Sequence, residues 1–328
     1  MIRRIIPSCI SVVVCLLFSI ACQRIDYDLE DPEQAGKMTL FTTEDNLPGN
    51  EVSDIQSDKD GNLWVSFPGF GTAMYDNTSW RSYSTVSSPL LSNTVSCLAE
   101  TADGTMIFGT VSGLSILSAS NIWSSYVEPV SGMEVTSIKV ARNGWIWIGT
   151  SNQGYFIRKG TDYFKVYTLP YRKVNVIEEG LNNNIFLGTD NGIIRWDGTT
   201  YSYLSKTDGL PDNKVSALCF DSRSRLWVGT NGGRTVSWID NGGIHPLNLL
   251  MGSDSVFVTD IKEDRKGNIW FATSREGLVM YDGVIPHFFS EFNGFPENIV
   301  NCIGEDDKGN LWFGLKSKGL VRYTLPVE

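Results

Sequence analysis

An internal repeat of about forty residues, present seven times, constrains the fold of this chain more than any other feature. Each copy begins with Val, two further residues and Ile or Leu. The valines that open the copies are Val52, Val95, Val135, Val174, Val215, Val258 and Val300, at intervals of 43, 40, 39, 41, 43 and 42 residues. A fixed period of this length indicates one supersecondary unit that packs only against its neighbouring copies.

A second strand in each copy carries a large side chain that is followed two residues later by a small one. The large residues are Trp64, Ile107, Trp147, Phe186, Trp227, Trp270 and Trp312, and the small ones are Ser66, Gly109, Gly149, Gly188, Gly229, Ala272 and Gly314. Sheets that pack face to face need such pairs, because neighbouring sheets must approach closely without voids. We therefore predict that the aromatic residues are packing anchors rather than a row for stacking sugars.

Short polar turns separate the first and second strands of each copy. They carry Gly61, Gly104, Gly144, Asn183, Ser224, Gly267 and Gly309, for which we predict positive φ. Acidic pairs such as Asp58 with Asp60 lie in the same turns, but they lack the ligand number and the distal Glu of a calcium loop. The turns therefore predict hairpins and no metal site.

Four strands can be assigned to each of the first six copies, whereas the seventh ends after its third strand. A spare strand at residues 38–42 precedes the first copy and supplies the missing one. The composition, with 32 Gly and 10 Trp, also favours many turns and aromatic-rich strands. The fold class predicted is all-β: a single seven-bladed β-propeller over residues 38–328, with four-stranded blades and a ring closed by the N-terminal strand.

The first 22 residues have the pattern of an export signal. Arg3 and Arg4 precede a short apolar segment that is too short to span a bilayer. Its end resembles the lipobox of bacterial lipoproteins, although Ser19 stands where that family usually has Leu. The resemblance implies a lipoprotein signal peptide at residues 1–21, lipidation of Cys22, a flexible acidic tether at residues 22–37 and an outer-membrane location. An ordinary secretory leader cleaved nearby is the alternative.

The net charge and the positions of the cysteines exclude some classes of partner and site. The formal net charge is −10, so nucleic acid is not an expected partner, because phosphate binding needs a basic face. Cys97, Cys219 and Cys302 fall on equivalent first strands and lack metal-ligand spacing, which predicts core residues rather than a disulfide or a metal site. No cofactor is expected.

The segment from Gly309 to Gly314, followed by Gly319 to Tyr323, resembles the two-component regulator propeller repeat. Leu210-Pro211, Asn213 and Val215 match the segment of that family that joins one blade to the next. The resemblance implies a sensing or binding propeller, since members usually form the extracytoplasmic sensor region of hybrid histidine kinases, many of which respond to carbohydrates. The sequence predicts a single propeller and no kinase domain, so autonomous signalling is not expected.

The loops between second and third strands are the expected functional surface. The candidate ligand-binding residues on them are Phe70, Asn152, Asp190, Arg234, Arg275, Lys316 and Lys318. Blades 5 to 7 place four of these, all cations, at aligned positions in an acidic protein, which predicts an anionic ligand such as an acidic glycan or a carboxylate-bearing partner. Ordinary solvated loop residues are the alternative.

Catalytic groups are scarce. His245 and His287 are the only histidines, both on fourth strands at the expected outer rim, and no nucleophile, metal or phosphate-binding motif is visible. The sequence therefore predicts a non-enzymatic, exported ligand-binding or sensing propeller, whose partner is a small ligand or glycan and which meets the membrane only through its lipid. A protein-interaction scaffold in a cell-envelope complex is the alternative, and a polysaccharide or streptogramin-type lyase is the less favoured third.

Overall fold

The seven-copy repeat folds as seven four-stranded antiparallel sheets. The computed structural model describes residues 36–126, 129–165, 172–232, 235–249 and 257–325. The predicted leader, the lipidation site Cys22 and most of the predicted tether lie outside the described residues, and so does Arg234. The predictions for these segments stay predictions.

The 28 strands are numbered in chain order, and each blade is given from its inner strand outward. The strand before the first blade is β1 (Lys37–Phe41). Blade 1 comprises β2 (Asp54–Ser57), β3 (Leu63–Phe67), β4 (Gly71–Tyr75) and β5 (Trp80–Tyr83). Blade 2 comprises β6 (Val95–Glu100), β7 (Met106–Thr110), β8 (Gly113–Leu117) and β9 (Trp123–Tyr126). Blade 3 comprises β10 (Val135–Val140), β11 (Ile146–Thr150), β12 (Tyr155–Lys159) and β13 (Asp162–Lys165).

The remaining blades repeat the arrangement. Blade 4 comprises β14 (Val174–Glu179), β15 (Ile185–Thr189), β16 (Gly192–Trp196) and β17 (Tyr201–Leu204). Blade 5 comprises β18 (Val215–Phe220), β19 (Leu226–Thr230), β20 (Thr235–Asp240) and β21 (Gly243–Asn248). Blade 6 comprises β22 (Val258–Glu263), β23 (Ile269–Thr273), β24 (Leu278–Tyr281) and β25 (Pro286–Phe289). Blade 7 comprises β26 (Val300–Glu305), β27 (Leu311–Leu315), β28 (Leu320–Thr324) and then β1.

Strand β1 closes the ring, as predicted, although it spans Lys37–Phe41 rather than residues 38–42. It pairs antiparallel with β28, with Lys37 opposite Thr324 and Phe41 opposite Leu320. The Phe41 ring also lies 5.4 Å from the Trp312 ring, so the closing strand packs as well as pairs. The first and last strands of the propeller thus share one sheet, and the edge that an open ring would expose is covered.

The large residues of the second strands are packing anchors, as predicted. All seven are at most 9% exposed. The small residues next to them are needed for close approach: a Cβ at Gly229 would lie 2.6 Å from Val258 Cγ1 of the next blade. The core therefore consists of the spaces between neighbouring blades, where an aromatic ring of one sheet faces small and aliphatic residues of the next.

The first hairpins are turns without metal-ligand geometry. All seven predicted turn residues have positive φ. In four blades the Asp that opens the hairpin accepts a hydrogen bond from the indole Nε1 of the anchor Trp. These pairs are Asp58 with Trp64 (2.9 Å), Asp221 with Trp227 (2.8 Å), Asp264 with Trp270 (2.8 Å) and Asp306 with Trp312 (2.9 Å). The acidic residues therefore join the turn to the blade interior.

Neighbouring inner strands are linked by a second set of hydrogen bonds. A Ser, Thr or Asn after the opening valine donates to the valine carbonyl of the next blade. These bonds run from Ser53 to Val95, Thr136 to Val174, Asn175 to Val215, Ser216 to Val258, Thr259 to Val300 and Asn301 to Val52. The last of them joins blade 7 to blade 1, so the links pass through the point of closure.

Helical structure in the described segments is confined to short 3₁₀ turns: Thr43–Asp45, Leu181–Asn183, Lys206–Asp208 and Glu291–Asn293. None of the helices found there is long and apolar enough to cross a bilayer.

Candidate functional site

The strand order of each blade places all loops between second and third strands on one face, which we call the loop face. The linkers that enter each inner strand lie at the same end, because strands alternate in direction within a blade. Hydrogen bonds join the two: Gly277 N donates to Asn298 O at 2.9 Å, and Gly319 N donates to Asn50 O at 2.9 Å. Those predicted ligand-binding residues that the structure describes are thus held on a surface built from loops and linkers together.

Asn213, which carries part of the family resemblance, has a structural role on this face. Its Oδ1 accepts a hydrogen bond from Lys206 N at 2.7 Å, and its carbonyl accepts one from Gly192 N. Asn298 does the same with Glu291 N and Gly277 N. This Asn therefore fixes the linker against the second-to-third-strand loop of the blade that the linker leaves.

The apolar and amide candidates are exposed on the loop face. Phe70 is 54% exposed, and its ring covers Gly49, where a Cβ would lie only 2.8 Å from it. Asn152 is exposed in the equivalent loop of blade 3. Both side chains are open to a ligand from solvent.

Asp190 lies in a junction between blades rather than on an open surface. Its Oδ1 accepts a hydrogen bond from Asn175 Nδ2 at 2.9 Å, and the same amide donates to Val215 O of blade 5 at 2.8 Å. Asp190 thereby orients the Asn175 side chain that links blades 4 and 5. A ligand that bound Asp190 would compete with this contact.

The predicted cations differ in their surroundings. Lys316 forms an ion pair with Glu51 in the linker that enters blade 1. Lys318 is exposed, and its backbone N–H donates to the buried Glu297 carboxylate at 3.1 Å. Arg275 is exposed in the corresponding loop of blade 6. Lys316 and Lys318 thus share one loop, and Arg275 belongs to a separate blade.

The opposite face, which we call the hairpin face, holds a cleft that was not predicted. It lies between the first hairpins of blades 3, 4 and 5 and has a volume of about 300 Å³. The residues that matter most in its lining are Arg142, Glu179, Leu181, Phe220, Asp221 and Ser224. A second cavity of about 180 Å³ shares Leu181, Phe220 and Ser224 with it. We call the two together the blade 4–5 cleft.

One signal for this cleft was present in the sequence. Blade 4 has Gly180 where four other blades have the hairpin Asp, and Phe186 where they have Trp. In the structure the Phe220 ring of blade 5 packs against Phe186, with centroids 5.2 Å apart. A Cβ at Gly180 would lie 2.7 Å from Phe220 Cζ, so the glycine is what lets Phe220 lie there.

Two carboxyl groups on the inner strands have raised pKa values. Burial raises the pKa of Asp54 to about 7 and that of Asp260 to about 6. Each carboxylate accepts a hydrogen bond from a backbone N–H of the following blade, Asp54 from Leu98 N at 2.7 Å and Asp260 from Ile303 N at 2.8 Å. Both carboxylates therefore contribute to the contacts between blades.

The cysteines and histidines lie in structural positions. Burial raises the pKa of Cys219 to about 12 and raises the pKa values of Cys97 and Cys302 well above their ordinary range, as expected for core thiols. His245 and His287 lie on the outer strands, where each Nε2 contacts an Asp at 2.9 and 3.1 Å. Within the segments that the structure covers, no three His, Cys, Asp or Glu side chains cluster as metal ligands would.

The fold and its repeated contacts define a seven-bladed β-propeller with a loop face and a hairpin face. The sequence profile described as "Two component regulator propeller" matches residues 46–69, 129–152, 209–232, 252–275 and 294–316. Five segments of the chain therefore match the repeat of the two-component regulator propeller family. No curated protein matches it.

Solved structures share the fold at low identity. The extracellular domain of a hybrid two-component system from B. thetaiotaomicron matches 87% of this chain at 18% identity and a TM-score of 0.76, and the match covers 41% of that chain. This protein thus spans about two fifths of the length of that relative. A surface component of the type-IX secretion system of Porphyromonas gingivalis, PorZ, matches 84% of this chain and 46% of its own at 16% identity and a TM-score of 0.69.

An enzyme also shares the fold. The virginiamycin B lyase of Staphylococcus aureus matches 88% of this chain and 99% of its own, at 15% identity and a TM-score of 0.72. That structure is of a His-to-Ala variant described as catalytically inactive, with quinupristin. At these identities the likeness establishes the propeller architecture alone.

Proposed function

We propose that this protein is an exported ligand-binding or sensing propeller of the cell envelope, anchored in the outer membrane through a lipid on Cys22. The match to the repeat of the two-component regulator propeller family supports the sensing role. The lipid anchor rests on the lipobox-like sequence before Cys22, and incorporation of labelled fatty acid at that residue tests it. A carbohydrate is the ligand class that the family resemblance favours.

We further propose that the ligand binds on the loop face, where Phe70, Asn152, Arg275 and Lys318 are exposed. The observation that carries this proposal is that loops from separate blades present an exposed ring, an exposed amide and exposed cations on one face. The cations bind carboxylates, and the amide binds hydroxyl groups. An anionic glycan satisfies both kinds of contact.

The protein has no catalytic activity of its own in this proposal. The two histidines lie on outer strands, and each is paired with an Asp of the same blade. Neither lies near the loop face, where a reacting ligand would bind. A lyase would need an acid and a base positioned beside its substrate.

The test uses the full-length chain in detergent on a glycan array that contains uronate-bearing and neutral glycans. The double variant Arg275→Ala/Lys318→Ala is expected to weaken uronate binding about tenfold or more, because two cations facing an anion are lost. The matched control is Lys59→Ala/Lys308→Ala, which removes two cations from the hairpin face. Uronate binding that survives the first double variant would overturn the loop-face assignment.

A protein-interaction scaffold is the second candidate, favoured by one observation. Phe292 is 99% exposed in the linker between blades 6 and 7, which belongs to the loop face. An aromatic ring open to water to that extent is a usual anchor for a protein partner. Loss of partner capture in Phe292→Ala, with no glycan bound by the parent chain, would favour the scaffold.

A further inference from the structure

The hairpin junction between blades 4 and 5 lacks a contact that recurs elsewhere in the ring. At four junctions a residue of one first hairpin binds the Glu that ends the next inner strand. These clamps are Lys59 with Glu100, Arg142 with Glu179, Ser222 with Glu263 and Arg265 with Glu305. Leu181 and Phe220 occupy the two equivalent positions between blades 4 and 5. Both partners of the polar clamp are thus apolar where the cleft opens.

Packing between the blades accounts for only part of this apolar pair, because Phe220 packs against Phe186 whereas Leu181 is largely exposed. Leu181 is 56% exposed and Phe220 is half-buried, and both line a cleft of about 300 Å³. The junction between blades 2 and 3 also has two apolar residues at these positions, but they are Ala102 and Val140. Large apolar side chains facing an open cleft leave apolar area in water, which is the usual property of a binding surface.

The charges around the cleft are balanced. Lys139 and Arg142 line it together with Glu179 and Asp221. Each has a partner of opposite charge: Lys139 Nζ lies 2.9 Å from Glu178, Arg142 Nε lies 3.3 Å from Glu179, and Asp221 lies 2.6 Å from Arg225 Nε. A charged ligand would meet one like charge for every opposite one. The cleft therefore favours a neutral ligand.

One buried oxygen in the cleft wall has no hydrogen-bond donor among the described residues. The Glu179 side chain is 4% exposed, and its Oε2 accepts a hydrogen bond from Arg142 N at 2.9 Å. Its Oε1 has no partner. In the clamp between blades 5 and 6 the corresponding oxygen of Glu263 accepts a hydrogen bond from Ser222 Oγ at 2.7 Å. A hydroxyl group of a ligand would supply the missing donor, and an unsatisfied buried carboxylate oxygen is costly.

We propose that the blade 4–5 cleft binds a pyranose ring of a neutral glycan. The apolar C–H face of the sugar packs on Phe220 and Leu181, and a sugar hydroxyl donates to Glu179 Oε1. The second cavity extends the cleft along Asp240 and Asn241, whose carboxylate and amide suit the hydroxyl groups of a neighbouring sugar. This site lies on the hairpin face and goes beyond the proposed anionic site on the loop face.

The test closes the cleft by restoring the polar clamp. In Leu181→Arg/Phe220→Glu the junction acquires the residue types of the Arg142–Glu179 clamp. The full-length chain in detergent on a neutral-glycan array is expected to lose binding about tenfold or more in this variant. The matched control Ala102→Arg/Val140→Glu builds the same clamp between blades 2 and 3 and should keep binding. No neutral glycan retained by the parent chain, or equal binding in the closed variant, overturns the proposal.

If the closed variant does not fold, two single variants still test whether the cleft binds a neutral glycan. Leu181→Ala removes only an exposed side chain, and Glu179→Gln keeps the size of the residue while replacing one acceptor oxygen by a donor. Each is expected to weaken neutral-glycan binding about threefold to tenfold, with an unchanged circular dichroism spectrum. Unchanged affinity in both, or capture of an apolar peptide instead of a glycan, contradicts the proposal. Arg275→Ala/Lys318→Ala should leave neutral-glycan binding intact. A failure of the cleft proposal can therefore be distinguished from a failure of the loop-face proposal.

Discussion

Blades 6 and 4 each close their first hairpin over five residues, but with different side chains. The backbone hydrogen bond that spans it is nearly identical, from Asp264 N to Asn268 O at 2.9 Å in blade 6 and from Gly180 N to Asn184 O at 2.8 Å in blade 4. In blade 6 the Asp264 carboxylate fills the interior of the turn. In blade 4 the glycine has no side chain there, so a neighbouring ring and a cleft occupy the space.

The difference shows how the residue that opens the hairpin determines the surface around it. Both turns have a residue with positive φ at the fourth position, Gly267 in blade 6 and Asn183 in blade 4, and the blade 4 turn has a second one at Asn182. The opening residue is then free to vary. Where the opening residue is Asp, its carboxylate joins the hairpin to the anchor Trp of the same blade. Where the opening residue is Gly, a cleft forms beside the hairpin.

Removing the carboxylate from blade 6 should have the largest effect. Asp264 accepts hydrogen bonds from Lys266 N, Asn268 N, Asn268 Nδ2 and Trp270 Nε1. Asp264→Ala leaves the indole N–H of Trp270, which is 1% exposed, without an acceptor. We expect the free energy of unfolding to fall by about 3 kcal/mol, measured by urea denaturation.

The control for this prediction is Asp60→Ala in the hairpin of blade 1. Asp60 is 70% exposed and forms a surface pair with Lys59 at 3.4 Å, so its loss should cost less than about 1 kcal/mol. Equal stability losses in the two variants would mean that the hairpin Asp contributes no more than a surface charge. The contrast between blades 6 and 4 would then have no energetic basis.

The inner strands offer a second contrast, between charged and neutral acceptors at the same position. Asp54 accepts from Leu98 N of the next blade at 2.7 Å, whereas Ser137 accepts from Ile177 N at 3.1 Å. Burial raises the pKa of Asp54 from 3.8 to about 7, so folding favours the protonated carboxyl. Its stabilising contribution is complete below pH 3.8 and is lost as the pH rises through about 7.

We therefore expect the free energy of unfolding to fall by about 2 kcal/mol between about pH 4 and about pH 7, because over this range the unfolded carboxyl is ionised while the buried one stays protonated. Asp54→Ser, which copies blade 3, should remove most of this slope. Asp260, whose pKa is raised to about 6, accounts for the rest of the pH dependence. The double variant Asp54→Ser/Asp260→Ser should therefore have almost no slope. Urea denaturation at several pH values measures the slope, and an unchanged slope in the double variant contradicts the assignment.

The features that repeat along the chain could be predicted from the sequence, and the features that depend on departures from the repeat could not. Seven valines at a regular interval fix the strands, their order and the closing strand, because each copy must bury the same face. Asp190 was predicted as a ligand residue from its loop position alone. Its contact with Asn175 depends on how two strands meet, which the local sequence does not encode.

The blade 4–5 cleft escaped prediction for a similar reason. Leu181 and Phe220 are separated by a whole repeat, and each is an ordinary residue in its own strand or turn. Only the packing of blade 5 against blade 4 shows that they occupy the two halves of one missing clamp. Aligning clamp positions of consecutive copies, rather than the copies themselves, would have revealed it.

Blade 3 allows the contrast to be tested in the opposite direction, with the smallest expected effect. Its hairpin opens with Ala141, and the indole N–H of Trp147, which is fully buried, has no hydrogen-bond partner among the described residues. Ala141→Asp introduces the carboxylate that blades 1, 5, 6 and 7 have at this point. We expect the free energy of unfolding to rise by about 1 kcal/mol. The new hydrogen bond to the indole N–H stabilises the fold, and the cost of burying the new charge offsets part of this gain. The gain should vanish when Trp147→Phe is added, because no donor then remains. A gain that persists in the double variant would attribute the stability to the turn itself and not to the indole.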